Sequence, residues 1–336
     1  MQVKKVSFSR QTTAFYFDTP LTHLKKMVPQ QATVVITDEH VFAAHQKSLK
    51  SWNTIVLKAG EEYKVQATVD TVIQQLIDMH ADRTWTIVGM GGGVVTDITG
   101  YIASVFLRGI SFGFVPTTIL GMVDAAIGGK NGIDVGLYKN MVGTINQPQF
   151  LLYDVALLKT LPDNEWRNGF AEVVKHAAIL DAPLFKELEK RNLQFFQKNK
   201  AALQKLVQRN AVLKTKVVKE DEFEKGKRRL LNFGHTLGHA LEKKYELMHG
   251  EAVAIGMAFA AKLSADMLQF KSADKLIKLI DSYDLPTTAG YNKQKVFDLL
   301  ISDKKREGEQ MNFVLLEKIG KATIRKIPLQ EIYKVI

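Results

Sequence analysis

Up to about Thr160 the chain alternates short β-branched runs with amphipathic stretches, and beyond that point the strand pattern almost stops. Strands recurring between helices specify a parallel sheet with helices on both faces, because each crossover helix packs back onto the sheet. The strand-like runs are 32–37 (Ala-Thr-Val-Val-Ile-Thr), 54–57, 84–88 (Thr-Trp-Thr-Ile-Val), 110–115 and 150–153. Between them, 65–79 carries Val65, Val69, Val72, Ile73, Leu76 and Ile77 at spacings of three and four, a helical face. After Thr160 the segments 163–180, 183–197, 200–222, 232–246, 249–270, 272–283 and 293–302 all read as helices. One hairpin returns near the end, with strands 312–316 and 323–327 about a turn at 318–321. The expectation is an α/β domain over 1–160, with a Rossmann-like parallel sheet, followed by an α-helical domain over 161–336. The active site is expected in the cleft between them.

At 336 residues the chain exceeds one ordinary core, and 46% hydrophobic with 24% charged residues is a globular composition. No apolar run approaches the length of a membrane span, and the first residues lack the apolar core of a signal peptide. The absence of cysteine excludes disulfides and thiolate metal sites and fits a cytoplasmic enzyme. A net charge of +11 raises the question of nucleic acid. The lysines are spread along amphipathic stretches such as 186–205, without zinc-finger spacing, an RNP pattern or a basic arm. No nucleic-acid partner is expected, and an anionic small substrate is the more economical use of the excess.

The run Gly89-Met-Gly-Gly-Gly-Val-Val-Thr-Asp97 follows one strand and leads into an apolar helix from Val94 to Val105. Backbone without side chains at a strand-to-helix turn lets a pyrophosphate approach main-chain N–H groups. The spacing is not Gly-x-Gly-x-x-Gly, so it is not the ordinary dinucleotide fingerprint. Beyond the next strand come Pro116-Thr117-Thr118, Asp124, Gly128-Gly-Lys130 and Lys139-Asn140. Threonine hydroxyls suit a nucleotide, and two lysines near a glycine pair suit phosphate or carboxylate. Two surface lysines beside a turn would look the same.

Three of the eight histidines fall in Phe233-Gly-His235-Thr-Leu-Gly-His239 and His249-Gly-Glu251. His235 and His239, four apart, would share one helix face with roughly 6 Å between Cβ atoms. Glu172 and Lys175 stand one turn apart on an earlier helix. Two imidazoles and a distant carboxylate, with one position left open, hold catalytic divalent metals without thiolates. A histidine pair at this spacing is also a common surface or core feature.

Taken together, these residues resemble 3-dehydroquinate synthase, of the sugar phosphate cyclase family, in order and spacing. The resemblance rests on Gly-Gly-Gly-Val-Val-x-Asp97, Arg108-Gly, Pro116-Thr-Thr, Val123-Asp124, Gly128-Gly-Lys130 and Lys139-Asn140-Met. It continues through Leu158-Lys-Thr160-Leu-Pro, Gly169-x-Ala-Glu172-Val-Val-Lys175, Arg228-x-Leu-Leu-Asn232-x-Gly-His235-Thr-x-Gly-His239 and His249-Gly-Glu-Ala-Val. It spans about Thr33 to Ile319, and metal-dependent alcohol dehydrogenases are more distant relatives.

The resemblance implies that Glu172, His235 and His249 bind zinc, with cobalt also suited, and that His239 faces substrate. It implies an NAD site from Asp38, Glu61, Lys64, Gly92, Gly93, Asp97, Thr117, Thr118, Lys139, Leu157 and Thr160. The substrate residues it implies are Arg108, Asp124, Lys130, Asn140, Lys175, Arg228, Asn232, His239 and a lysine at 304 or 305, Lys305 by preference. Thr96 departs from the family pattern, where a glycine precedes the aspartate, so a shifted or crowded turn is expected.

The reaction implied is conversion of 3-deoxy-D-arabino-heptulosonate 7-phosphate, an anionic sugar phosphate, to 3-dehydroquinate and phosphate, in the shikimate pathway of aromatic amino-acid biosynthesis. It proceeds by transient NAD-dependent oxidation, phosphate elimination, re-reduction and intramolecular aldol closure, a lyase reaction that consumes no NAD. A homodimer is the family expectation. The rivals are a sister cyclase, which Asn232 and His239 disfavour, and a polyol dehydrogenase, whose group lacks the Gly-Gly-Lys130 and Lys139-Asn140 pair.

Overall fold

The computed structural model describes residues 1–136, 138–301 and 306–336, with backbone alone for Lys243, Arg306 and Glu307. Lys304 and Lys305, expected beside the substrate, lie outside the described residues. The first strands and helices are β1 (Gln2–Ser7), β2 (Thr12–Phe17), β3 (Thr33–Asp38), α1 (Glu39–Leu49), β4 (Asn53–Leu57) and α2 (Gln66–Asp78). They are followed by β5 (Thr86–Gly91), α3 (Gly93–Val105), β6 (Ser111–Pro116), β7 (Lys130–Val135), β8 (Tyr138–Ile145) and β9 (Phe150–Leu152). Next come the helices α4 (Asp163–Leu180), α5 (Ala182–Leu188), α6 (Leu193–Lys198), α7 (Lys200–Glu220), α8 (His235–Tyr245) and α9 (His249–Leu268). The chain ends with α10 (Ala273–Asp281), α11 (Lys293–Ile301), β10 (Arg306–Glu307), β11 (Gln310–Lys318), β12 (Lys321–Pro328) and α12 (Leu329–Val335).

Two compact units result, Met1–Pro162 with Lys200–Phe223 and Asp163–Asn199 with Glu224–Ile336. A single division at residue 160 misses one feature: the long helix α7 returns to the first unit. Its Lys214 explains the preference, since the ammonium lies 2.9 Å from the Asp124 carboxylate and donates to the Asp124 carbonyl at 2.6 Å.

The sheet of the first unit has the order β1-β2-β9-β6-β5-β3-β4. β1 and β2 pair antiparallel, and every other pairing in this sheet is parallel. The central strands are apolar because both faces are covered; Val34, Val35, Ile36 and Val88 have no exposed surface. One core cluster joins Leu24, Val35, Leu49, Trp52, Val88, Met90, Val115 and Leu152. Two pairs of strands, β1–β2 and β7–β8, are absent from the sequence reading, although β2 (Thr-Thr-Ala-Phe-Tyr-Phe) carries an apolar run. β1 (Gln-Val-Lys-Lys-Val-Ser) is a mostly exposed edge whose lysines blunt pairing with other chains. The second pair, β7 and β8, forms a separate hairpin, so Lys130, Lys139 and Asn140 stand on strands rather than in a loop.

The second unit buries α8, α9 and α11 against the hairpin β11–β12, through Leu237, Leu241, Ile255, Val296, Phe313 and Ile327. Segment 183–197 is two helices, because the Asn192 side chain accepts from the Phe195 N–H and starts α6 afresh. Segment 232–246 is a single helix, α8, that starts three residues later: Lys227–Asn232 forms a 3-10 turn, and Gly234, at φ +80°, separates it from α8. A Cβ on Gly256 of α9 would stand 1.9 Å from the Gly234 carbonyl oxygen, so α8 and α9 meet backbone to backbone.

Candidate active site

In the first unit, β5 is buried throughout and its glycines Gly89 and Gly91 lie inside the strand. The turn is therefore at Gly92, which precedes the first residue of α3 and caps it without a side chain. A helix start leaves N–H groups with no intrahelical acceptor and a partial positive charge, which favours an anion there. A Cβ on Gly92 would meet the Thr118 methyl at 3.1 Å, so the 116–121 segment packs directly beneath the turn. That segment is pinned by the Thr117 N–H to Gly91 carbonyl bond (2.9 Å) and by Thr118 Oγ1 accepting from Gly121 N–H (2.9 Å). The buried Thr117 hydroxyl has no hydrogen-bond partner among the described residues, an orphaned polar atom of the kind a bound ligand satisfies. The Thr96 hydroxyl donates to the Gly93 carbonyl at 3.0 Å, within the first turn of α3.

Lys64 is the hub of the residues beside this turn. Its buried ammonium lies 2.7 Å from Asp97 Oδ2, donates to Asn140 Oδ1 at 2.7 Å and is 3.8 Å from Glu61. Burial alone would depress the Lys64 pKa, but the Asp97 and Glu61 carboxylates reverse this and raise it. Asp134 completes the network: its N–H donates to the Lys64 carbonyl at 2.7 Å and its carboxylate accepts from Asn140 N–H at 2.7 Å. Lys139 lies 3.8 Å from Glu61. Five of the expected residues, Glu61, Lys64, Asp97, Lys139 and Asn140, are thus gathered in one place.

The others in this unit are arranged around the sheet. Asp38 ends β3 and caps α1 by accepting from Val41 N–H at 2.9 Å. Thr160 closes the 3-10 turn Val155–Thr160, donates to the carbonyl of buried Leu157 and lies 3.4 Å from His45 Nε2. Gly128 and Gly129, at φ +105° and +69°, turn the chain into β7 and its exposed first residue, Lys130. Arg108 stands apart. It is exposed just past the C-terminal end of α3, about 20 Å along a 13-residue helix from the glycine turn.

In the second unit, α4 is buried along most of its length and carries Glu172 with no exposed surface. A buried carboxylate must be paired, and Lys175, one turn on, forms an ion pair with Oε2. The other oxygen, Oε1, lies 3.6 Å from His235 Nε2 and 3.6 Å from His249 Nε2. Both rings are held from behind: His235 Nδ1 is 3.0 Å from the Phe233 carbonyl, and His249 Nδ1 is 3.4 Å from Glu242 Oε2. With Nδ1 of each ring turned to its own acceptor, both Nε2 atoms face the carboxylate. Burial pushes the His235 pKa well down, with Lys175 adding to the effect, so this ring is neutral. Burial would also lower His249, but Glu172 and Glu242 carry it up to about 9 in the metal-free protein.

The three donors fit a divalent ion. They lie within 4.8 Å of one another, and two ligands bound at tetrahedral angles to one zinc stand about 3.4 Å apart. Two imidazoles and a carboxylate also accept cobalt or iron. His239 is exposed one turn along α8, with its ring centroid 5.2 Å from that of His235. Arg228 is buried in the 3-10 turn, and the Asn232 amide donates to Glu224 at 2.8 Å.

Sequence reasoning missed several supporting residues. Lys214 grips Asp124, Glu224 orients Asn232 and Glu242 backs His249. Asn168, one turn before Glu172, accepts from Gly250 N–H at 2.6 Å and ties the start of α9 to α4. Lys214 and Asn168 left a faint signal, since each falls on the apolar face of its helix.

Residues 54–168 match the family described as 3-dehydroquinate synthase N-terminal, and residues 169–306 match 3-dehydroquinate synthase C-terminal. A 3-dehydroquinate synthase of Campylobacter concisus is 36% identical over 321 residues, 91% of this chain and 90% of that protein. Among solved structures, a 2-deoxy-scyllo-inosose synthase complexed with carbaglucose-6-phosphate, NAD+ and Co2+ superposes with a TM-score of 0.87 at 26% identity, covering 99% of each chain. A 2-epi-5-epi-valiolone synthase from Streptomyces hygroscopicus subsp. jinggangensis, with NAD+ and Zn2+ bound, gives 0.85 at 27% identity, covering 100% of this chain and 97% of that one. With the two family matches in tandem and that relative spanning nearly its whole length, the chain belongs to the 3-dehydroquinate synthase family.

Proposed function

We propose that the chain converts 3-deoxy-D-arabino-heptulosonate 7-phosphate to 3-dehydroquinate and inorganic phosphate, with NAD and a divalent metal as cofactors. The observation that carries this reading is the convergence of Glu172 with the Nε2 atoms of His235 and His249, each imidazole fixed from behind. When bound, the metal supplies a Lewis acid for a substrate hydroxyl and NAD takes up and returns a hydride within one turnover.

The chain's own groups supply the rest. Gly92, Gly93 and the start of α3 offer backbone N–H groups to a pyrophosphate, with Thr117 Oγ1 as a further hydrogen-bonding group. Lys64 holds Asp97 and Asn140 in fixed positions, so these polar groups are ordered before any ligand arrives. Lys175 forms an ion pair with the buried Glu172 carboxylate. Lys130 and Arg228 provide cations for a substrate that carries both phosphate and carboxylate, and Arg228 can engage an oxyanion with its planar fork. His239, exposed beside the metal ligands, is placed to exchange a proton with a bound hydroxyl. Among the described residues no helix is long and apolar enough to cross a membrane. A cytoplasmic homodimer belongs to the same proposal, checked by light scattering.

The test is a substrate comparison at fixed NAD and zinc. The heptulosonate phosphate should be turned over and a sugar phosphate lacking its carboxylate should not. The reverse preference would favour a sister cyclase.

A further inference from the structure

Helix α8 presents His235, His239 and Glu242 at spacings of four and three, so all three share one stripe over two turns. The first is a metal-ligand candidate and the second lies beside it. The third reaches around to the far nitrogen of His249, at 3.4 Å, from a side chain that is only 9% exposed. His249 is the first residue of α9 and its ring has two edges. One edge, Nε2, faces Glu172 at 3.6 Å; the other, Nδ1, faces Glu242.

The two histidines are therefore backed differently. His235 leans on the Phe233 carbonyl, which no side-chain substitution removes. His249 leans on a carboxylate, which fixes the tautomer, orients the ring and makes the opposite nitrogen a stronger donor. We propose that Glu242 is a positioning residue for the metal: it holds His249 with Nε2 directed at the ion and adds negative charge behind the ligand. The proposal rests on the assignment of Glu172, His235 and His249 as the metal ligands.

The experiment measures zinc and cobalt affinity of the metal-free protein by competition with a chromophoric chelator, together with the visible spectrum of the cobalt form. Glu242→Ala should bind either ion about 10–100-fold more weakly and alter the cobalt spectrum. Glu242→Gln, which can still accept from Nδ1–H but carries no charge, should recover part of the affinity. Glu246→Gln, at an exposed carboxylate one turn along, should bind as wild type and exclude a general charge effect. Circular dichroism and thermal unfolding identify any variant that is not folded, and the Gln variant preserves the side-chain volume.

Wild-type affinity and spectrum in both Glu242 variants, with metal lost in His235→Ala and His249→Ala, would overturn the role of Glu242 alone. Retention of metal in those two histidine variants would overturn the ligand assignment beneath it. The donor atoms of His239, Glu242 and His249 also lie within 4.8 Å of one another. A stoichiometry of two ions, with the second lost in both His239→Ala and Glu242→Ala, would make Glu242 a ligand and contradict the proposal.

Discussion

Glu172→Gln, His235→Ala and His249→Ala each remove one donor from a set of three, so each should lower bound metal steeply and abolish turnover. His239→Ala should lose turnover and keep its metal, because its exposed ring lies beside the donor set without belonging to it. Metal analysis of the purified variants separates the two outcomes. The lysines make a second contrast. Lys130 is exposed at the start of β7, so Lys130→Ala should leave stability unchanged while lowering kcat/KM by about a hundredfold, or about 2.7 kcal/mol. Lys175 is buried against Glu172, and removing one partner of a buried pair costs about 3–5 kcal/mol. Lys175→Ala should therefore lower both the unfolding midpoint and turnover. Equal unfolding midpoints for the two lysine variants would contradict this difference.

At the scale of elements, the metal site depends on how closely α8 approaches α9. Gly256→Ala forces a Cβ toward the Gly234 carbonyl, and overpacking of this kind costs about 1–3 kcal/mol. Because His235 begins α8 and His249 begins α9, the variant should also bind metal more weakly, as chelator competition would read. Thr96 sits in α3 with its hydroxyl donated to Gly93. Thr96→Gly should therefore leave NAD affinity as in wild type and cost about 0.3 kcal/mol of stability through helix propensity. A marked change in NAD affinity by fluorescence titration would show that Thr96 shapes the cofactor site.

Elements were legible where burial imposes a pattern. Strands β3, β5 and β6 are covered on both faces and read as apolar runs, whereas β1 and β8 expose much of their length and β7 buries Asn131 and Gly132 beside Ile133, so these three resemble loops. Ligand candidates were legible as His235, His239 and His249 because unusual residue types cluster locally. Glu242, Asn168 and Lys214 were not, because each acts through a partner at a distance that only folding closes: seven residues for Glu242, eighty-two for Asn168 and ninety for Lys214.

For the whole molecule, the alternation before Thr160 and the helices after it were sufficient for an α/β unit and a helical unit. The placement of α7 was not, because its amphipathic pattern specifies a buried face but not the surface that buries it. The glycine turn belongs to one unit and the candidate metal ligands to the other. The most direct measurement follows phosphate release and NADH absorbance together, in one reaction containing the intact protein, NAD, zinc and 3-deoxy-D-arabino-heptulosonate 7-phosphate. Phosphate and 3-dehydroquinate should appear in equal amounts over many turnovers, with no net accumulation of NADH. NADH rising in step with substrate consumed, without phosphate, would contradict the proposed reaction and identify a dehydrogenase.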